Sequence, residues 1–94
     1  MQALQQQKIT NMTFKEFQKR AMQICKERFV PVEFHPLKLG IQRAQFEEAR
    51  LKKLIELAGE SACLTAKRKA EGWQRQLHKT SSVRARMETM NNYL

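Results

Sequence analysis

The sequence has only two cysteines, Cys25 and Cys63, and they stand far apart with no CxxC pair between them. Adding His35 and His78 gives four possible zinc donors, but without the close ligand pairs that zinc sites use. Both cysteines fall on apolar helical stripes and read as small core residues. No metal and no other cofactor is therefore expected. No apolar run approaches the length of a membrane span, and the stretch from Met1 is rich in glutamine with no signal-type apolar segment. The expectation is a cytoplasmic protein with no membrane partner.

Catalytic signatures are missing too. There is no P-loop, GxGxxG, HExxH or nucleophile-elbow serine. Glu47 and Glu48 are neighbours that point in different directions on a helix, so they make no carboxylate pair. His78 beside Lys79 suits a helix C-terminus better than general-base work. An enzyme is not expected. Aromatic residues are sparse, with one tryptophan, one tyrosine and five phenylalanines. If the phenylalanines are buried, as their spacing suggests, a base-stacking platform for single strands is excluded.

What the sequence does have is positive charge. Eighteen lysines and arginines against nine acids give +9 over 94 residues, with 41% hydrophobic and 29% charged positions. That balance fits one small folded domain with a modest core. The cationic surplus favours a polyanion, chiefly nucleic acid, because each phosphate contact releases condensed counterions. It also suits a basic protein whose charge merely prevents self-association.

Taken in order, residues 1–12 show little apolar periodicity and read as a flexible arm, leaving 13–94 as a single helical domain. Thr13 and Glu16 form a capping box. Phe14, Phe17, Ala21, Ile24 and Cys25 then recur at helical spacing, predicting a first helix over about 14–29. Pro31 and Pro36 bracket an extended link whose Val30, Val32 and Phe34 are expected to pack down as a lid. In His35-Pro36-Leu37-Lys38-Leu39-Gly40-Ile41, proline and glycine suggest a rigid elbow that presents Lys38. Its lysine either meets an anion or is simply solvated.

A second helix is predicted from Ile41 to Ala58, with Gly59 as its C-cap. Its inner face is Ile41, Ala44, Leu51, Leu54, Ile55 and Ala58. Phe46 and Leu57 lie to another side, so the helix is expected to be touched from two directions. Its mixed charges read as a solvated face. Ser61 is the expected cap of a third helix whose buried stripe is Ala62, Ala66, Ala70, Trp73 and Leu77. Ser81 or Ser82 would cap a short fourth helix over 82–94, with Val83, Met87, Met90 and Leu94 inward. The fold class expected is mainly α, a compact domain of three to four helices with an extended Pro-bracketed link.

Lys67, Arg68, Lys69, Arg75, Lys79, Arg84 and Arg86 concentrate positive charge in the last third, where Glu71 is the only acid from Leu64 to Arg86. Hydroxyls and helix N-terminal N–H groups at Ser61 and at Thr80-Ser81-Ser82 would add uncharged phosphate contacts. Charge alone does not separate RNA from DNA.

The segment Arg28 to Ile41, RFVPVEFHPLKLGI, resembles the signature of the ProQ/FinO family of RNA-binding proteins. The family's Pro-Leu-Lys-aliphatic-Gly-Ile motif is matched by Pro36 to Ile41. The spacing from Pro36 to Trp73, the basic residues Lys67 to Lys69 ahead of that tryptophan, and Arg84 or Arg86 beyond it are also similar. The resemblance spans about residues 13–86. It implies an RNA chaperone or post-transcriptional regulator that recognises stem-loops with single-stranded 3′ tails. It also implies that Lys38 contacts phosphate, with Lys67 and an arginine of the 84–86 pair extending a concave basic face. The sequence departs from the family in two ways. Gln74-Arg75-Gln76 stands where the family has a tyrosine that helps form the 3′-end pocket. The later strand-bearing segment and helix have no counterpart up to Leu94.

Three readings follow. The first is a module for structured RNA. The second is a small helical regulator, of plasmid or phage type, docking on an acidic protein surface, for which the tail of Met87, Met90, Tyr93 and Leu94 would suit. The third is a DNA-binding regulator, since Gly59-Glu60-Ser61 between two helices superficially resembles a helix-turn-helix.

Overall fold

Thr13 Oγ1 accepts from the Glu16 N–H at 3.2 Å and opens α1, Phe14–Cys25. The computed structural model describes residues 12–32, 34–61 and 63–93. Most of the arm expected over 1–12, together with Ala62 and Leu94 of the expected stripes, lies outside them. Met12, the last residue of that arm, is no loose end: it is 7% exposed, pairs with Ser61 in a parallel bridge and belongs to the core. The fold is mainly α, with three helices and an extended link among the described residues.

α1 stops at Cys25, short of the expected 29. Pro31 disfavours helix in Val30 before it, and the link is held in another conformation by α2. The Arg50 guanidinium donates to the Glu27 carbonyl, Lys53 pairs with the Glu27 carboxylate at 3.1 Å, and Phe29 meets Phe46 edge-on at 5.8 Å. Val30, Val32 and Phe34, expected to form a lid, are instead 76%, 82% and 83% exposed.

The elbow reading of residues 35–41 is corrected as well. α2 runs Pro36–Gly59, so the whole Pro-Leu-Lys-Leu-Gly-Ile segment is helical. His35 is its N-cap, extended at φ −64°, ψ 129°, and its Nδ1 accepts from the Leu37 N–H at 3.3 Å. Proline at the first helical position forfeits no hydrogen bond and its fixed φ already suits the helix. A residue read as a breaker is thus a starter. Gly40 serves packing: a Cβ there would stand 2.9 Å from Met87 Sδ on α3. Gly59, expected as the C-cap, is instead the last helical residue, with Glu60 capping at φ −79° and no glycine at positive φ among the described residues.

α3 runs unbroken over Leu64–Asn92, about 43 Å at helical rise. The fourth helix expected from 82 is its continuation, because neither glycine nor proline interrupts the chain after Gly72. Two of the hydroxyls at the expected break also find partners. Thr80 Oγ1 donates to the Gln76 carbonyl at 2.9 Å, and Ser81 Oγ to Glu48 Oε2 at 2.6 Å. Continuity fixes the register, so Val83 and Met90 face solvent at 49% and 59% exposure, and among the described residues of that stripe only Met87 turns inward.

α2 and α3 form an antiparallel hairpin, as the contacts Gly40–Met87 and Glu48–Ser81 require. Small residues such as Ala44 and Ala66, 8% and 0% exposed, let the two helices approach. At the turn of the hairpin α1 lays Phe17, 1% exposed, against Leu57, Ala58, Ala66 and Met12, with Trp73 beside it at 6.0 Å between ring centroids. As expected, α2 is touched from two directions: the link meets Phe46 and α1 meets Leu57, while α3 packs on Ala44 and Glu48. The molecule is elongated, 50 × 24 × 23 Å. Among the described residues no helix is long and apolar enough to cross a membrane.

Candidate nucleic-acid interface

Because α3 packs through Ala66, Ala70, Trp73, Leu77, Arg84 and Met87, its opposite side is free for solvent. Arg68, Arg75, Lys79 and Arg86 all lie there and all are exposed. At about 100° per residue they fall within roughly 40° of one another around the axis and extend about 27 Å along it. Exposed Ser82 sits in the same row, and a shallow depression beside it is lined by Glu71, Gln74, Arg75, His78 and Lys79. No ion pair among the described residues engages any of the four cations.

Other cations are differently placed. Arg20 pairs with Glu60 at 3.6 Å, Arg50 with Glu47 at 2.9 Å and Lys53 with Glu27 at 3.1 Å. Arg84 sits against the α2–α3 seam, its Nε on Glu48 and its NH1 on Glu88 at 2.8 Å. Its hydrogen bonds to Glu48, then Glu88, raise its pKa above the ordinary arginine value. Burial pushes the Glu48 carboxyl up, but hydrogen bonds from Arg84 and Ser81, with the Arg84 and Lys52 charges, more than reverse this and leave it below the usual range. Glu48, read from the sequence as part of a solvated face, is 7% exposed.

The expected site residues are therefore not gathered on one concave face. Lys38 is exposed in the first turn of α2, beside Ile41, Gln42, Glu88 and Asn91. Lys67 stands near the other end of α3, about 36 Å along the axis from Asn91. Lys67 and Lys69 are exposed on opposite flanks of the row, Lys69 toward α1. Arg84 is turned inward, and Arg86, two residues on, outward.

Ser61 is corrected both as a cap and as a phosphate contact. The N-cap of α3 is Cys63, with no side-chain capping bond. Ser61 is 3% exposed, accepts from the Cys63 N–H at 3.2 Å and donates to the Met12 carbonyl at 3.5 Å. Thr80-Ser81-Ser82 likewise offers no free helix N-terminus, since its backbone lies inside α3. Cys63 is held below the ordinary thiol value by the backbone N–H groups of Ala66 and then Thr65. Cys25 is exposed on α1, His35 caps α2 and His78 lies on the outer side of α3. Among the described residues no cluster of three such donors could hold a metal.

Sequence reasoning missed the cleft between α1 and α3. It has a volume of about 400 Å³, with Phe17, Ala21, Met22 and Trp73 in its walls and Lys26 and Lys69 at its edge. The i, i+4 recurrence of Gln18, Met22 and Lys26 beside the buried stripe of α1 was the available signal. No protein-family model, no curated protein and no solved structure matches the chain.

Proposed function

We propose that this chain binds structured RNA through the outer face of α3 and serves in the cytoplasm as an RNA chaperone or post-transcriptional regulator. The observation that carries the reading is the row of Arg68, Arg75, Lys79 and Arg86 on one side of a continuous helix, none of them in an ion pair among the described residues. A rigid helix presents these charges with little backbone entropy left to lose on binding. The row contains no aromatic side chain, which favours contacts to phosphate and to helical shape over base stacking. The resemblance of Pro36 to Ile41 to the ProQ/FinO motif is what favours RNA over DNA.

The test is a salt titration of binding to an RNA hairpin and to a DNA duplex of matched length. Four phosphate contacts give a slope of log affinity on log salt of roughly −3 to −4. Arg75→Ala with Lys79→Ala should make that slope shallower by roughly 2. Equal affinity for the DNA duplex, or a slope indifferent to these substitutions, overturns the reading.

A further inference from the structure

We infer that the cleft between α1 and α3 is a docking groove for an acidic amphipathic helix of a partner protein. α1 leans chiefly on α2 and touches α3 little, so the two helices diverge and leave the cleft open between them. Phe17, Ala21 and Met22 contribute from α1 and Trp73 from α3. Met22 is 55% exposed, a large apolar side chain that the fold itself does not cover. Its thioether stem can re-pack around different neighbours. The α1 residues lining the cleft recur in i, i+4 rows over about two and a half turns, the spacing that another helix's ridges fit. Such a groove is read by apolar anchors at i, i+3 and i+4 of the incoming helix.

Charge selects the occupant. Lys26 and Lys69 stand at the edge, and Lys15 and Lys19 continue the positive border along the neighbouring face of α1. No acid is among the described residues lining either depression, and no ion pair among the described residues engages these lysines. A second copy of a chain with net charge +9 would meet like charge there. A helix with an apolar ridge flanked by aspartate or glutamate meets both the walls and the border. The inference stands apart from the RNA reading, which uses the outer face of α3.

The probe is a synthetic helical peptide of about three turns, with leucines at i, i+3, i+4 and i+7 and glutamates flanking them. A control peptide carries lysine in place of each glutamate, and a short oligouridine serves as the nucleic-acid control. Trp73, the sole tryptophan, reports occupancy by its emission, and anisotropy of labelled probes gives affinity. The acidic peptide is expected to bind and shift Trp73 emission, and the lysine peptide to do neither. Met22→Gln, and separately Lys26→Glu with Lys69→Glu, should each weaken the acidic peptide by about tenfold. Met22→Gln should leave hairpin RNA binding unchanged. Three outcomes overturn the inference: no binding of the acidic peptide, binding lost on Arg75→Ala with Lys79→Ala and indifferent to the groove substitutions, or an oligouridine-induced shift of Trp73 emission that Met22→Gln abolishes.

Discussion

Glu48 on α2 and Arg84 on α3 are joined across the hairpin although 36 residues separate them in sequence. Ser81 donates to the other carboxylate oxygen at 2.6 Å, and Glu88 takes a second guanidinium nitrogen at 2.8 Å. Breaking such a pair from one side leaves a partly desolvated charge with too few partners. Glu48→Ala should therefore lower the thermal midpoint by on the order of 10 °C, while Glu47→Ala on the exposed side of α2 should change it little. Replacing both partners, Glu48→Leu with Arg84→Met, should recover much of the loss. Thermal unfolding followed by circular dichroism checks all three.

The same carboxylate gives an acid limb to stability. Its native pKa lies below the ordinary value of 4.5, so between the two values the unfolded chain binds more protons than the folded one. The stabilisation is complete above 4.5 and is lost as pH falls through the native value. Urea midpoints measured across the acid range should fall less steeply in Glu48→Gln than in the parent.

Two glycines inside helices should respond unequally to alanine. Gly72 in α3 has nothing within 4 Å of an added Cβ, so Gly72→Ala should stabilise by about 1 kcal/mol through helix propensity. Gly40 in α2 has Met87 Sδ at 2.9 Å, so the propensity gain is offset by moving that side chain and Gly40→Ala should gain little. Denaturant unfolding of the two variants gives the comparison.

These two positions show which parts of the fold were legible. Periodicity located the three helices of the described residues, because Phe17, Leu54 and Ala66 recur on stripes that burial then confirms. It failed at boundaries where one residue type has two uses. Pro36 starts a helix as readily as it breaks one, and Gly40 is a point of close approach, not a bend. Ser81 looked like a cap because its partner, Glu48, is brought near only by the hairpin. The candidate interface was half legible: its cations could be counted, but which of them the chain neutralises could not. Arg84 and Arg86 look alike in sequence, and only their angles on α3 separate an internal partner from an exposed charge.

That separation predicts a ranking in RNA binding. Arg75→Ala should weaken hairpin affinity and reduce the salt slope by about 1. Lys38→Ala, off the row beside Glu88 and Asn91, should cost less. Glu88→Gln would leave Arg84 on Glu48 and should leave the slope nearly unchanged. Filter binding at several salt concentrations distinguishes these variants.

Cys63 provides a separate check on the start of α3. The N–H groups of Ala66 and Thr65 favour its thiolate, holding it below the ordinary value of 9.0. In a Cys25→Ser background, alkylation by iodoacetamide should reach half-maximal rate at a lower pH in the folded protein than in denaturant.

Arg20, Arg50, Lys53 and Arg84 spend their charge on carboxylates, whereas Arg68, Arg75, Lys79 and Arg86 share one line on the outer side of α3, so the molecule carries a bare cationic flank there. A polyanion would exert torque on it at a distance, turning the bare flank forward during diffusion before any contact forms. Encounters would then be productive more often than the area of that flank alone predicts, and this advantage would fade as added electrolyte shortens the range of the field.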